Sequence, residues 1–390
     1  MVDTFFLAQT PRIHFGAGKI AELPGLIEGL GTHVLMVTGA SSFIGSSQWD
    51  QLCQQLENKA ITWFHYTIDQ EPSPTMIDKC IVQFIDAPIT VVAAIGGGSV
   101  VDAGKAIAAM LKTPGSVKEY LEGVGNQMPP GDTLPFIAIP TTSGTGSEAT
   151  KNAVLSEIGP HGFKKSLRHD NFVPDITLVD PKLTLSCPPS ITASSGMDAF
   201  TQLLESYVST KANALTDALA VSGLKCIRKS LRKAYDDGQN IEARTDMAYA
   251  SLLSGITLAN AGLGVVHGFA SSIGGFFNIP HGVVCGSLMG PANRVTLDRL
   301  RKEEKNTEAL TKYAAVGRLF SEEEGKSEAY YADALVALIE AWTALLRIPR
   351  LSAYGIGKED VEKIVEATDN KNNPVALHPD ELAAVVEARL

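Results

Sequence analysis

The segment Val91-Val92-Ala93-Ala94-Ile95-Gly96-Gly97-Gly98-Ser99-Val100-Val101-Asp102 is an apolar run followed by three glycines. The β-rich residues before the glycines are typical of a buried strand, and a helix is predicted to begin after them. Glycines here let the backbone approach a ligand closely, and free N–H groups at a helix start suit a pyrophosphate. Ser99 and Asp102 also have the spacing of a capping box. The segment is neither GxGxxG nor a P-loop, so a phosphate-binding turn and an ordinary glycine-rich turn both remain open.

The residues around this segment alternate between strand and helix patterns. Short apolar runs predict strands at 34–38, 63–66, 136–139 and 176–179, and helical patterns occur at 19–30, 48–58 and 74–86. This alternation predicts a doubly wound, mostly parallel α/β sheet. Because the Pro188-Pro189 pair is typical of a domain boundary, we predict a dinucleotide-binding α/β domain at residues 1–184.

A second polar loop, Pro140-Thr141-Thr142-Ser143-Gly144-Thr145-Gly146-Ser147-Glu148-Ala149-Thr150, follows the predicted strand at 136–139. Small hydroxyl residues and glycines at a strand end can surround a nucleotide, although an irregular polar loop has the same composition. Two such loops after two strands of one sheet should face the same crevice. Together they favour a dinucleotide more than either loop does alone.

The second half of the chain, residues 185–390, has helical periodicity over most of its length. Helices are predicted at 197–208, 213–234, 241–260, 262–277, 293–301, 307–320, 328–346, 358–367 and 379–389. We therefore predict an all-helical domain that docks on the α/β domain.

The helix predicted to start near Gly196 carries the main chemical signal. Ser194 and Ser195 are candidate caps, and Asp198 and Gln202 lie four residues apart on one helical face. A carboxylate on an otherwise apolar face needs a partner, because burying an unpaired charge is costly.

Two histidines in apolar segments, His267 and His281, are candidate partners for Asp198. One anionic oxygen and two imidazoles can hold Fe²⁺ or Zn²⁺ and leave positions open for water or substrate. Ser271 lies one turn beyond His267 on the same helical face. Two ordinary core histidines are the competing interpretation, and the local sequence leaves both open.

Composition and charge argue against several classes of protein. The net charge of −10 is unlike that of nucleic-acid binders, and no run of about 18 apolar residues predicts a membrane span. The N-terminus carries Asp3 where a signal peptide has basic residues. The five cysteines contain no CxxC pair, which is typical of reduced thiols. We expect a cytoplasmic protein that binds neither nucleic acid nor membrane.

These motifs resemble those of the iron-containing, or group III, alcohol dehydrogenase family. The matching segments, in family order, are Gly96-Gly97-Gly98-Ser99-x-x-Asp102, Pro140-Thr141-Thr142-x-Gly144-Thr145-Gly146-Ser147-Glu148, Pro174-x-x-x-Leu178-Val179-Asp180-Pro181, Gly196-Met197-Asp198-Ala199, Val266-His267-Gly268, Pro280-His281-Gly282 and Asn373-Pro374. The resemblance implies a dehydroquinate synthase-like architecture with a metal in the cleft between two domains. It also implies reversible reduction of an aldehyde or ketone by NAD(P)H.

The resemblance further implies roles for individual residues. The expected cofactor contacts are Gly39, Ser41, Ser42, Ser73, Gly97, Gly98, Ser99, Asp102, Thr141, Thr142, Thr145, Thr150, Lys164 and Leu178. Asp198, His267 and His281 would bind the metal, with Gln202 where many members have a fourth, histidine ligand. Ser271 replaces a histidine near the family's proton path, so His267, His281 and Ser271 are the expected catalytic residues. Because a neutral amide is a poorer ligand than imidazole, we expect weak iron binding, with zinc as the alternative metal.

The cofactor is expected to be NAD(P), with a preference for NADP. Relatives that prefer NAD often carry an acid at the place where this chain reads Gly39-Ala40-Ser41-Ser42. No carboxylate repels a 2′-phosphate here, and Ser41 or Ser42 could bond it, although no lysine or arginine is nearby in sequence.

Several alternatives remain open. They are a metal-independent reductase of the same fold, a dehydroquinate synthase-like lyase, a non-haem iron oxygenase and a non-catalytic binding protein. The lyase would need a basic cluster that the sequence beside Asp198 and His267 lacks, and the oxygenase leaves the nucleotide loops unexplained. We expect a small alcohol or aldehyde substrate, a homodimer or higher homo-oligomer paired through the extended N-terminus, and an apolar pocket lined by Phe200, Phe269, Phe276 and Phe277.

Overall fold

The computed structural model of the chain describes residues 4–303 and 307–390. The strands, in chain order, are β1 Arg12–Phe15, β2 His33–Gly39, β3 Thr62–Ile68, β4 Val91–Gly96, β5 Phe136–Pro140, β6 Asn152–Glu157, β7 Phe163–Arg168 and β8 Ile176–Val179. The α-helices between them are α1 Leu23–Glu28, α2 Ser47–Asn58, α3 Pro74–Phe84 and α4 Gly98–Met110. The strands and helices predicted for this half are thus confirmed, except that the helix predicted at 19–30 is a 3-10 turn at Lys19–Glu22 followed by the short α1.

Six of these strands form one sheet in the order β1-β8-β5-β4-β2-β3, and each neighbouring pair is parallel. Alternate residues of a strand point to opposite faces, so a sheet covered on both sides has continuously apolar strands. In β2, Leu35 and Val37 pack with α3 and α4, whereas Val34 and Met36 pack with α1 and α2. The predicted parallel, doubly wound sheet is therefore confirmed.

Strands β6 and β7 form a separate antiparallel hairpin that the sequence did not predict. Its second strand is rich in basic residues and largely half-buried, so no clean apolar alternation marks it. Gly159, near the hairpin turn, donates a backbone hydrogen bond to Gly275 O at 3.2 Å. The hairpin therefore connects the α/β half to the helical half.

The second half is all-helical over its described residues, as predicted. Its α-helices are α5 Pro189–Val208, α6 Ala214–Asp236, α7 Ile241–Ala261, α8 Val265–Phe276, α9 His281–Glu303, α10 Thr307–Phe320, α11 Glu328–Leu345, α12 Val361–Glu366 and α13 Pro379–Glu387. Helix α5 packs against α6, α7 and α9, and its Phe200, Leu203 and Leu204 are fully buried. This central position fixes the polar residues on α5 inside the domain.

Helices α5, α4 and α9 differ from the sequence predictions in their starts or caps. Helix α5 begins at Pro189, since proline at the first helical position is pre-organised for a helix. The predicted caps Ser194 and Ser195 therefore lie within the helix. Helix α4 is capped by Gly97 without a side-chain cap, so the predicted Ser99–Asp102 capping box is wrong. Helix α9 starts at His281, twelve residues before the predicted helix at 293–301, because tertiary packing overrides its glycines and proline.

Within residues 4–303 and 307–390, no single helix is long and apolar enough to cross a membrane. One pair, Ile241–Ala261 with Val265–Phe276, has the required length and composition together but is bent by 98°.

Candidate active site

The two predicted cofactor loops meet at the carboxyl ends of β4 and β5. Thr141 N donates a hydrogen bond to Gly96 O at 2.9 Å. Gly98 opens α4 so close to Thr145 that a Cβ on Gly98 would lie 2.6 Å from Thr145 Cγ2. Only glycine allows this approach, which joins the two loops at the start of a helix. The arrangement suits a dinucleotide phosphate, as the sequence predicts.

A buried polar cluster supports these loops from behind. Lys105 Nζ donates to Ser147 O at 2.9 Å, to Asn152 O at 2.8 Å and to Thr150 Oγ1 at 3.2 Å. Asp102 accepts a short hydrogen bond from Ser147 and lies 3.8 Å from Lys105 Nζ. Burial lowers the pKa of Lys105 to about 8, and burial raises the pKa of Asp102. Asp102 and Thr150 thus hold the loop in place, and their predicted cofactor contacts stay predictions.

The end of β2 opens into a cavity of about 270 Å³ that is lined by Ser42, Thr141 and Lys182, among others. The predicted cofactor residues Ser41 and Ser42 are exposed here. Lys182 is a basic residue that the sequence prediction missed, because it is 140 positions from Ser42 and directly follows Asp180-Pro181. The fold therefore supplies a lysine to the same cavity as Ser42.

The remaining predicted cofactor residues lie at different depths. Lys164, on the β6–β7 hairpin, pairs with Glu71 at 3.1 Å, and its aliphatic chain passes close to Gly274 on α8. Ser73 accepts a hydrogen bond from Met76 N and thereby caps α3. Leu178 has no exposed area and belongs to the core under the sheet, where it can support the crevice only from behind. Their predicted contacts with a cofactor stay predictions.

Four side chains from three helices converge beside the hairpin. They are Asp198 on α5, His267 on α8, and His281 and Cys285 on α9, and their candidate ligand atoms all lie within 4.8 Å of one another. Asp198 Oδ1 is 3.4 Å from His267 Nε2 and 3.6 Å from His281 Nε2. The structure therefore brings together the three residues that the sequence selected, and it adds Cys285.

The donor atoms of this cluster fit a divalent first-row metal. Asp198 is 1% exposed, and its Oδ1 has no hydrogen-bond partner among residues 4–303 and 307–390. Leaving a buried carboxylate oxygen unpaired is costly, whereas a bound cation would satisfy it. One carboxylate oxygen with two imidazole nitrogens is also a donor set that zinc or iron accepts. The chemistry of the residues therefore matches the predicted metal site.

Glu205 orients His267 from behind. Its Oε2 accepts from His267 Nδ1 at 2.6 Å, and its Oε1 accepts from Val266 N at 2.7 Å. Because Nδ1 is engaged with Glu205, Nε2 is the nitrogen that faces Asp198, and a cation bound there would replace the proton on Nε2. The sequence prediction missed Glu205, although it lies seven residues after Asp198 on the same face of α5.

Burial moves the pKa values of these groups in different directions. Burial raises the pKa of Asp198, but His281 and His267 outweigh burial and leave that pKa below its usual value. Burial lowers the pKa of His281 to about 4 and raises the pKa of Cys285 to about 12. Burial also lowers the pKa of His267, but the electrostatic effects of Cys285 and then of Glu205 outweigh burial. The pKa of His267 therefore lies well above its usual range. His281 thus stays neutral, as a metal ligand requires.

Comparison with known proteins places this site in a family. A sequence model described as iron-containing alcohol dehydrogenase matches residues 10–181, and one described as the C-terminal part of the Fe-containing alcohol dehydrogenase family matches residues 192–390. The chain belongs to the iron-containing alcohol dehydrogenase family. The predicted family is therefore confirmed.

Individual members of the family are similar over their whole length. Long-chain-alcohol dehydrogenase 1 of Geobacillus thermodenitrificans is 33% identical, over 97% of this chain and 95% of its own. The crystal structure of a 1,3-propanediol oxidoreductase superposes with a TM-score of 0.87, at 28% identity and full coverage of both chains. Sulfoacetaldehyde reductase from Bifidobacterium kashiwanohense, solved with NAD⁺, has a TM-score of 0.84, 28% identity and 99% coverage of both chains. The chain is therefore an alcohol dehydrogenase or aldehyde reductase, in a family that uses NAD(P) and a divalent metal.

Gln202 and Ser271 are the two positions at which the family resemblance led us to expect a departure from histidine. The Gln202 amide oxygen accepts a hydrogen bond from Ser254 Oγ at 2.8 Å, and Ser254 Oγ also lies 3.4 Å from Gly144 O in the second cofactor loop. Gln202 thus has a structural partner, and its role as a ligand stays a prediction. Ser271 Oγ donates to His267 O at 2.9 Å and lies 3.4 Å from Lys371 Nζ.

The four phenylalanines expected to line an apolar pocket lie in two different environments. Phe200 is fully buried and stacks on Phe320 at a centroid distance of 5.0 Å, and Phe269 is also fully buried in the helical core. Phe276 and Phe277 are half-buried, and Lys363 covers both rings. The expectation is wrong for Phe200 and Phe269, because both rings fill the core instead.

Proposed function

We propose that this family member interconverts a small alcohol and its aldehyde with NADP(H), assisted by a divalent metal held by Asp198, His267 and His281. The observation that carries the proposal is the buried Asp198 Oδ1, which two imidazole nitrogens approach to within 3.4 and 3.6 Å and no described donor satisfies. A divalent cation among these atoms would act as a Lewis acid toward the carbonyl oxygen of the substrate.

In this proposal, the residues around the cluster orient His267 and hold the cofactor. Glu205 holds His267 in the tautomer that leaves Nε2 free. The two strand-end loops would hold the cofactor, whose nicotinamide would supply or accept the hydride. Lys164 and Glu71, joined at 3.1 Å, lie close enough to His281 for their charges to act on its pKa in opposite directions.

The proton of the product alcohol passes through Ser271 and Lys371 in this proposal. Ser271 Oγ lies 3.4 Å from Lys371 Nζ, and Lys371 is exposed. Lys371 also holds a φ of +50°, which non-glycine residues adopt rarely, although Ala60 and Arg347 share it at +53° and +54°. We expect Lys371→Met to lower kcat more than it changes KM and to move the pH profile of kcat. The exposed Lys358 is the matched control, and an unchanged profile in Lys371→Met would contradict this route.

The preference for NADP(H) rests on the cavity at the end of β2. Ser42 and Lys182 line it together, so a hydroxyl and an ammonium group could both bind a 2′-phosphate. Gly39→Asp tests this proposal, since a Cβ on Gly39 meets only Val100 Cγ2, at 3.8 Å. We expect the ratio of kcat/KM for NADPH to that for NADH to fall at least about tenfold, or about 1.4 kcal/mol. A wild-type enzyme that already prefers NADH would refute the proposal.

The metal-assisted reaction is tested with Asp198→Asn. The amide keeps the shape of the side chain but removes the charge that a cation needs. We expect aldehyde reduction to be lost in the variant, and the wild-type activity to be lost on chelation and restored by zinc or iron. Full activity of the variant and of the chelated enzyme would instead support the metal-independent reductase.

We also propose a homo-oligomer that pairs through the N-terminal segment. Phe5, Phe6 and Leu7 are 42%, 83% and 45% exposed, and they precede β1, which lies at one edge of the described sheet. An open strand edge beside exposed apolar side chains is a site for pairing with a second chain. We expect light scattering to give at least twice the 41.4 kDa chain mass, and a monomer would contradict the proposal.

A further inference from the structure

We propose that Cys285 is a fourth protein ligand of the active-site metal and binds it as a thiolate. The inference rests on the metal proposed above for Asp198, His267 and His281. It assigns to this chain a ligand that stands in place of the histidine that many family members have at the position of Gln202.

Helix α9 places the sulfur at the right position. His281 and Cys285 are four residues apart, so both side chains lie on the same face of the helix. Cys285 Sγ is 3.7 Å from His267 Nε2 and 3.7 Å from His281 Nε2. The sulfur therefore faces the two imidazole nitrogens that also face Asp198.

Four of the six separations among the donor atoms fit one metal ion bound to all four atoms, and a substrate oxygen would add a fifth ligand, as catalytic zinc sites allow. Metal–nitrogen and metal–oxygen bonds of about 2.1 Å and a metal–sulfur bond of about 2.3 Å give donor separations of about 3.4 and about 3.6 Å. The separations in the cluster are 3.4 and 3.6 Å from Asp198 Oδ1 to the nitrogens, and 3.7 Å from the sulfur to each nitrogen. The side chains are thus arranged around a common centre.

An ordinary core cysteine does not account for this arrangement. A buried thiol usually behaves as a small apolar group that packs against other apolar groups. Cys285 is fully buried, but its sulfur faces two imidazole nitrogens and the buried carboxylate oxygen that lacks a partner in the described chain. Gln202 is less suited to the fourth position, because its amide oxygen already accepts a hydrogen bond from Ser254.

Metal binding by Cys285 breaks the S–H bond, forms a metal–sulfur bond and releases the proton to solvent. The thiolate and the Asp198 carboxylate together neutralise the two positive charges of the ion. A thiolate also makes the donor set softer, which favours zinc over iron. The chain would therefore combine an iron-dehydrogenase fold with a zinc-type ligand set.

Cobalt substitution of the full-length protein tests the assignment. Co²⁺ bound by a thiolate gives a near-ultraviolet charge-transfer band, whereas its visible d–d bands require only that the ion is bound. We expect both in the wild type, and we expect Cys285→Ala to keep visible bands but lose the charge-transfer band. Zinc retention should also weaken at least about tenfold in this variant. Cys80→Ala, which removes another buried cysteine far from the cluster, should keep both bands.

X-ray absorption at the zinc edge of the wild-type protein provides a test that needs no variant. We expect one sulfur neighbour at about 2.3 Å and the remaining neighbours at about 2.0–2.1 Å. Two results would overturn the role of Cys285 and leave the proposed metal function intact. One is a zinc site whose neighbours are all nitrogen and oxygen, and the other is a charge-transfer band that survives in Cys285→Ala. A wild type that binds neither cobalt nor zinc would overturn both.

Discussion

Replacing Glu205 by glutamine should weaken metal binding without touching a metal ligand. Glu205 accepts one N–H on each carboxylate oxygen, from His267 Nδ1 at 2.6 Å and from Val266 N at 2.7 Å. Glutamine has one oxygen, so its NH₂ group must face one of these two buried donors. The variant therefore either loses the correct His267 tautomer or leaves Val266 N unsatisfied.

The structure sets the size of both effects. A buried donor without an acceptor costs about 1–3 kcal/mol, so the free energy of unfolding of the metal-free protein should fall by that amount. Loss of the group that orients a metal-binding histidine typically weakens metal affinity about 10- to 100-fold. That loss corresponds to about 1.4–2.8 kcal/mol of binding free energy.

Competition with a chromophoric chelator measures the zinc affinity of Glu205→Gln, and chemical unfolding of the metal-free protein measures its stability. Glu340→Gln is the matched control, because Glu340 is an exposed acid that pairs with Arg294 at the surface. Such pairs contribute about 0–1 kcal/mol, and zinc affinity should not change in the control. Glu205→Gln with wild-type zinc affinity and wild-type stability would refute the reasoning.

Three further predictions concern the cofactor loops. Lys105→Met removes three buried hydrogen bonds, so we expect thermal unfolding to show a loss of at least about 1–3 kcal/mol, whereas the exposed Lys112→Met should change little. Burial raises the pKa of Glu148 from 4.5 to about 7, so the folded protein holds a proton that the unfolded chain loses. Wild-type stability should therefore fall between pH 4.5 and about 7 relative to Glu148→Gln, and parallel pH profiles would contradict this. Gly98→Ala places a Cβ 2.6 Å from Thr145 Cγ2, so we expect KM for NADPH to rise at least about tenfold, and an unchanged KM would be the opposing result.

Regular segments of the α/β half were predictable because each one has a strong local pattern. The run at 91–95 and the glycines after it give β4 and the start of α4, and the sheet topology follows from the alternation. The hairpin β6–β7 was missed because charged residues interrupt its alternation. The start of α9 was missed since Gly282 and Pro291 weaken its helical pattern, which packing overrides.

Parts of the active site could be predicted where the signal is local. Asp198, His267 and His281 stand out as polar residues in apolar segments, and the structure brings them together. Glu205 lies seven residues after Asp198, and Cys285 lies four residues after His281, so each has regular helical spacing to a predicted ligand. They were not selected from the sequence, because neither belongs to a short motif such as CxxC. Neighbours that only the tertiary fold supplies could not be found this way. Lys182 lines the same cavity as Ser42, 140 positions away, and Lys371 lies 3.4 Å from Ser271, 100 positions away.

Anomalous diffraction from crystals of the active enzyme, measured on both sides of the zinc and iron absorption edges, locates and identifies any bound metal. We predict one peak per chain, bounded by Asp198 Oδ1, His267 Nε2 and His281 Nε2. No peak at this position, in crystals of an enzyme that still reduces aldehydes at its full rate, would contradict the metal-assisted reaction.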